Sequence, residues 1–550
     1  MTIEGTIVET VWNLRNKWWV EDDILRLSYL VGIIPYMINM FRDRNMELII
    51  TYLVIAFILV LVPLAGLRHS RRRCRKFNLP PGPKPWPVIG NLHLIGPLTH
   101  QSLHALAKKH GPLMYLLLGS RPTVVGSSAA AARFFFKTHD LSFSDRPNTF
   151  VTKYTAYNSS DMVWSPYGPY WRQVRRLSLT ELFSAKRLHS FSSIRVDEVH
   201  SLLRRIFDAS PQVVVKEFLF TFAFNVISRM AFGKQYIAQD FKEGIEELVM
   251  LFGVFNLGDY IPWLGFLDLL GNVRRMKLLG RKLDSLYEQI LVDHEEHRLC
   301  EGDAFVAKYT VDVLLLMVDD PTIDNDTRLD RDRVKAFIQS MIVGASGSSS
   351  VTIEWAISEL VRNPEKQRKA AEELEQVVGR GRWVEEDDIP RLLYLVAVVK
   401  ETMRLHPAVP LLVPRQAREH AVAGEDCGGY DVPAGTSVLV NVWAMGRDPS
   451  VWESPEEFMP ERFLGSAVDV KGQDMELLPF GAGRRMCPGY GLGLKMVQLL
   501  MANLVHGFEW LPPAGMRPEE VSMEEAPGTT LRREVPLKAI VVPKLPRHLY

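Results

Sequence analysis

Apolar residues recur at i, i+3 and i+4 in nine windows: Ser102–His110, Ala129–Thr138, Trp171–Leu182, Ile194–Asp208, Phe218–Phe232, Val334–Arg362, Pro364–Val378, Leu392–Leu405 and Gly491–Phe508. That is the period of a helix with one buried face. Strand-like runs are short: Met114–Leu118, Thr123–Val125 and Ser437–Val442. The pattern predicts a mostly α protein with small β-sheets. The longest window, Val334–Arg362, follows an acidic turn (Asp324 to Asp332) and ends at Asn363-Pro364, so its helix should cross the whole molecule. No low-complexity linker or repeat interrupts the chain after residue 95, and one large domain, 93–550, is the simplest organisation.

A different pattern occupies Leu48–Leu67, twenty residues without a charge, which matches a hydrocarbon layer of about 30 Å. It predicts one transmembrane helix. Arg68, Arg71, Arg72, Arg73, Arg75 and Lys76 follow it, whereas Arg42 and Arg44 precede it, so the positive-inside rule places the body in the cytosol. A cleaved signal peptide fits less well, because the run is too long and the basic cluster lies on the wrong side. Residues 1–46 form an extension of mixed charge with an apolar stretch broken by Pro35; it is either an artefact of a start site upstream of Met46 or an interfacial helix. Residues 68–92 are basic and then proline-rich, and Pro80 to Pro85 fix an extended, stiff hinge.

The 65 Lys and Arg residues nearly balance the 64 Asp and Glu residues, which argues against nucleic acid as a partner. Four widely spaced cysteines (Cys74, Cys300, Cys427 and Cys487) exclude a disulfide scaffold and a structural zinc site. One of them has unusual neighbours: Phe480-Gly-Ala-Gly-Arg-Arg-Met-Cys-Pro-Gly489 surrounds Cys487 with glycines and arginines just before a helix. Glycines admit a bulky ligand, while arginines and a helix N-terminus favour thiolate, so such a sulfur can ligate haem iron.

Phe480, Gly483, Arg485, Cys487 and Gly489 stand at the spacing of the haem signature of the cytochrome P450 superfamily, which the chain resembles over residues 48–550. Three further motifs occur in the family's order. Glu401-Thr-Met-Arg404 resembles its Glu-x-x-Arg pair, and Arg462 in Pro460-Glu-Arg-Phe463 its third member. Trp171 and Arg175 in WRQVR, with Arg415 and Arg485, resemble its haem-propionate contacts. The anchor, the hinge, WSPYGPYWRQVRR and ELFSAKRL are similar to the plant microsomal branch related to flavonoid hydroxylases and terpenoid oxidases. The resemblance implies the cytochrome P450 fold and haem b on the Cys487 thiolate. It also implies O2 as oxidant, with electrons from a membrane-bound NADPH-cytochrome P450 reductase met by Arg484 and Lys495, and an endoplasmic reticulum location.

The family's central helix carries a small pair and then an acid followed by a hydroxyl. Here the small pair is Gly344 and Ala345 and the hydroxyl is Ser348, but Gly347 stands where the acid belongs. Gly347 should ease local unwinding, and Glu354 lies about 10.5 Å further along the axis, too far for a direct relay. Either a water or serine relay through Ser346, Ser348 and Ser349 delivers protons, or slow protonation favours chemistry that cleaves a C–C bond.

Phe143 to Met162, Val213 to Phe224, Val343 to Ser348 and Ala408 to Val413 match the family's substrate-facing segments, and AVPLLV is wholly apolar. A small apolar substrate is expected, first a terpenoid, in its sharpest form an acyclic terpene alcohol cleaved to a homoterpene. A flavonoid or phenolic ring hydroxylase is the alternative, and an O2-independent isomerase or dehydratase is the rival class. Asn158-Ser-Ser and Asn325-Asp-Thr are sequons that a cytosolic body leaves unmodified.

Overall fold

The computed structural model describes residues 77–234, 239–268, 270–318 and 328–550. The apolar run Leu48–Leu67, the extension before it, the basic cluster after it and Asn325 lie outside these residues. Among the described residues no helix is long and apolar enough to cross a membrane.

The stretch Leu79–Leu92, expected to act as a hinge, is docked on the body. Tyr115 N donates to Pro81 O (2.9 Å), and Asn91 N donates to Leu117 O (2.6 Å). A Cβ on Gly82 would stand 1.9 Å from Tyr115 O, so glycine is required for this close approach. The prolines therefore stiffen a strap that lies along the first strand.

The body begins with α1 (Thr99–His110), β1 (Leu113–Leu118), β2 (Arg121–Gly126), α2 (Ala129–Arg133), α3 (Phe150–Thr155), α4 (Pro169–Leu177), α5 (Ser192–Ala209), β3 (Gln212–Val214) and α6 (Val215–Phe232). It continues with α7 (Gln239–Phe252), α8 (Asn272–Glu301), α9 (Thr310–Val318), α10 (Arg331–Arg362), α11 (Pro364–Val378) and α12 (Leu393–Leu405). It closes with β4 (Arg415–Gln416), β5 (Ser437–Val440), α13 (Tyr490–Gly507), β6 (Phe508–Leu511) and β7 (Lys538–Pro543). One sheet runs β1–β2–β5–β4, with β2 and β5 parallel and Val124 opposite Val438; a second runs β3–β7–β6, all antiparallel. The architecture is mostly helical with small sheets.

The nine windows all contain helix, with shifted ends. The windows Ala129–Thr138 and Trp171–Leu182 each finish in a wider π-helical turn, Phe134–Thr138 and Ser178–Leu182. Phe508 leaves the last helix and starts β6, and Val442 belongs to a helical turn after β5. The pattern missed α8, whose buried residues Asn272, Val273, Met276, Leu279, Leu283, Tyr287, Ile290, Leu291 and His294 form a narrow stripe amid charge.

α10 organises the rest. Its 32 residues span about 48 Å and are buried almost throughout, against α6, α13, α12 and α7. Asp330 caps it, its carboxylate accepting from Arg333 N at 2.8 Å. Glycine and serine at Gly344–Ser350 are poor helix formers. The hydroxyls are satisfied inside the helix instead, with Ser346 Oγ donating to Ile342 O, Ser348 Oγ to Gly344 O and Ser350 Oγ to Ser346 O, each at 2.8 Å. The helix is continuous through Gly347, and the expected unwinding does not occur.

Candidate functional site

The cysteine loop is shaped by two left-handed glycines. Gly481 has φ +67° and Gly483 φ +70°; a Cβ on Gly483 would stand 2.5 Å from Phe136 O and 2.6 Å from an Asp140 oxygen. The loop thereby lies flat on the turn Phe134–Thr138. Cys487 N donates to Phe480 O (3.0 Å), which closes the loop. Gly489 is under no such steric demand, since its Cβ would meet only Phe183 at 3.7 Å. Its contribution is its N–H, which is directed at the Cys487 sulfur.

Burial pushes the Cys487 thiol up, opposed by the Gly489 N–H and by Arg175. The expectation that Arg484 and Arg485 would lower it is corrected, because both are turned to other partners. Arg484 pairs with Asp140 through its side chain (3.4 Å), and its N–H donates to the same carboxylate (2.9 Å). Lys495 pairs with Glu386 at 2.7 Å, a carboxylate that also holds Arg195 at 2.6 Å. Of the other described cysteines, Cys300 is exposed and Cys427 is buried, its thiol pushed up to about 11.

Beside this loop stands a cluster of buried guanidiniums. Arg485 donates from Nε to Ser144 O (2.8 Å) and from Nη2 to Ser165 O (2.6 Å), and lies 4.3 Å over the Trp171 ring. Its Nη1 is buried without a partner. Burial and the nearby Arg415 push it down to about 9. Arg415 is already committed to Asp140 (3.0 Å) and Ala482 O (2.7 Å). Trp171 donates its indole N–H to Met162 O (3.1 Å), so what it offers the cluster is its ring face under Arg485. Arg146, absent from the sequence expectations, donates to Val163 O (2.9 Å), Val413 O and Pro414 O (both 2.7 Å), and is pushed down by burial, Arg485 and Arg415. It ties the Phe143 to Met162 segment to the segment after α12. The only local signal for it was a lone arginine in Ser-Asp-Arg-Pro.

Repelling guanidiniums, one with an orphaned donor, ask for anionic oxygen. A thiol and such a seat fit a macrocycle bearing carboxylates. No group of three or more metal-ligating side chains occurs among the described residues.

Behind the loop, Glu401 and Arg404 of α12 are fully buried and bidentate, Nε to Oε2 and Nη2 to Oε1 both at 2.7 Å. Arg462 Nε reaches Glu401 Oε1 at 3.1 Å and Met459 N donates to it at 2.7 Å. Arg404 further donates to Pro455 O (2.7 Å), Glu457 O (3.0 Å) and Gly446 O. The network clamps the chain between residues 446 and 462 onto α12.

On α10, Gly344 is exposed, Ala345 and Ser348 are half-buried, and Gly347 is buried. A Cβ at Gly344 would meet nothing within 4 Å, and one at Gly347 only Val249 Cγ1 of α7, at 3.9 Å. Position 347 thus accommodates a Cβ, and no acid stands there. Ser346 and Ser348 lie about 160° apart around the helix, and Ser346 is fully buried with its hydroxyl donating to Ile342 O. Glu354 is buried with its carboxylate on Leu537 N (3.0 Å), a structural partner for β7's approach. Val213–Phe224, matched to a substrate-facing segment, forms β3 and the first half of α6 and packs into the core, and Val249 on α7 also faces the central helix. A polar cavity of about 960 Å³ lined by Glu359, His406 and Arg447 lies elsewhere and includes no residue of the cysteine loop.

A family model described as Cytochrome P450 matches residues 80–540. The chain is 50% identical to trimethyltridecatetraene synthase of Zea mays (89% of this chain, 93% of that protein) and 49% identical to dimethylnonatriene synthase of Zea mays (90% and 97%). It is 42% identical to flavonoid 3'-monooxygenase of Petunia hybrida (92% and 99%). A zebrafish cytochrome P450 solved with progesterone superposes with a TM-score of 0.70 at 26% identity, covering 81% of this chain and 99% of that one.

Proposed function

The chain belongs to the cytochrome P450 family, and on that premise we propose that this haem-thiolate monooxygenase cleaves a C–C bond of an acyclic terpene alcohol to release a homoterpene. The observation that carries the reading is position 347, buried on α10 and occupied by glycine where the family's central helix carries an acid, in a chain half identical to two synthases named for homoterpene products.

The haem supplies oxygen activation and transfer when bound. Cys487 is its thiolate ligand, steadied by the Gly489 N–H. Arg175, Arg415 and Arg485 would hold its carboxylates, with Arg146 beside them, Trp171 stacks against Arg485, and Arg415 also holds the loop through Ala482 O. Phe480 and Gly483 fix the loop's path, and Glu401, Arg404 and Arg462 hold the fold beneath it. Gly344 and Ala345 would keep this stretch of α10 free of bulky side chains, and Ser348 would be the hydroxyl that exchanges a proton at Oγ once released from Gly344 O. With no carboxylate at 347, proton supply there is slow, which favours cleavage over simple hydroxylation.

Electrons come from NADPH-cytochrome P450 reductase on the endoplasmic reticulum, where Leu48–Leu67 anchors the chain with its body in the cytosol. The body itself supports membrane contact: Phe266 is 80% exposed and Leu270 74% exposed, near Lys277 and Arg281.

Microsomes containing the protein and the reductase, given NADPH and acyclic terpene alcohols of fifteen and twenty carbons, should release homoterpenes four carbons shorter. A hydroxylated flavonoid without homoterpene would overturn this reading in favour of ring hydroxylation. Turnover without O2 and NADPH would overturn it in favour of an isomerase or dehydratase.

A further inference from the structure

Two polar groups that touch the same residue are left without partners. Ser165 lies in the turn before α4 and is 1% exposed. Its N–H donates to Asp161 O (3.2 Å) and its carbonyl accepts from Arg485 Nη2 (2.6 Å), so the residue is held against the guanidinium. Its hydroxyl oxygen and Arg485 Nη1 are both buried and both unpartnered. A buried hydroxyl has free rotation about its C–O bond and normally finds a nearby carbonyl. Here no carbonyl receives it: Ser144 O and Ser165 O accept from Arg485 and Val163 O from Arg146, and the Ser165 hydroxyl bonds none of them. Asp161, the nearby carboxyl, accepts from Trp164 N at 2.6 Å and receives nothing from Ser165.

Resting on the haem reading above, we infer that Ser165 Oγ and Arg485 Nη1 together bind one carboxylate of the haem, the hydroxyl donating to one oxygen and the guanidinium to the other. A carboxylate offers two oxygens to two donors, one of them cationic, which satisfies both orphans with a single group. Ser165 is thus a positioning residue for the cofactor, additional to the arginines. Its contribution is retention and orientation of the macrocycle rather than any step at the reacting atoms.

The test uses the full-length holoprotein and measures haem transfer to excess apomyoglobin, with resonance Raman of the propionate bending mode. Ser165→Ala should lose haem about ten-fold faster, the factor for one charge-assisted hydrogen bond, and shift the bending mode. Ser228→Ala removes another fully buried, unpartnered hydroxyl, on α6, and should change neither. A Ser165→Ala loss rate within two-fold of wild type with an unmoved mode overturns the inference. Equal acceleration in both variants overturns it too, because packing alone would then be the cause. A wild-type ferrous–CO spectrum lacking the thiolate band overturns the haem reading itself, which separates the two failures.

Discussion

Glu401→Gln removes the charge from a carboxylate that is 0% exposed and accepts from four donors: Arg404 Nε and Nη2, Arg462 Nε and Met459 N. Arg404, 1% exposed, then remains in the core with backbone carbonyls as partners but no counter-charge. Breaking a buried ion pair from one side costs about 3–5 kcal/mol, because the surviving charge stays desolvated. At about 2.1 cal/mol/K per residue, a body of about 470 residues has an unfolding entropy near 1 kcal/mol/K, so the midpoint should fall by about 3–5 °C. The assay is thermal unfolding followed by loss of the Soret band. Arg368→Ala is the reference, since the Arg368–Glu372 pair is 63% and 52% exposed, and such a pair is worth at most about 1 kcal/mol. A Glu401→Gln midpoint no lower than that of Arg368→Ala would refute the claim that this network clamps the segment from 446 to 462.

Gly347→Glu places an acid at a position where a Cβ meets only Val249, at 3.9 Å, and should shift products from cleaved to hydroxylated while changing NADPH consumed per product; an unchanged ratio rules out a role for the missing acid. Burial pushes the Asp161 carboxyl up to about 7, against the pull of Arg146 and Arg485. The folded state therefore holds this proton more tightly than the unfolded chain, and the group's stabilisation is complete below about pH 4 and lost as pH rises to about 7. Asp161→Asn should flatten that decline in unfolding midpoints, and an unaltered decline contradicts the assignment. Asn158 is exposed in a left-handed turn with φ +55°, yet a cytosolic body leaves it unglycosylated; a mass shift on glycosidase treatment would reverse the proposed topology.

Local patterns carried much of this molecule. The i, i+3, i+4 windows placed nine helices because their buried faces are wide, whereas α8 was hidden by a narrow stripe, and β3 to β7 were mostly hidden because strands of two to six residues hold too little pattern. The spacing Phe480 to Gly489 was legible since a loop that must lie flat needs its glycines at fixed offsets, and Glu401 with Arg404 since three residues put them on one helix face. Tertiary structure decided which donors are spent and which are free. Trp171 and Arg415 look like ready contacts in sequence, but the Trp171 indole N–H goes to Met162 O, and Arg415 also bonds Ala482 O and Asp140. Arg146 and Ser165 look ordinary, yet one joins segments more than 260 residues apart and the other keeps an unpaired hydroxyl beside Arg485. Residue types and their spacing fix which chemistry is possible, and that is local. Whether a polar group is satisfied depends on carbonyls and carboxylates brought to it from distant parts of the chain, and only folding determines those.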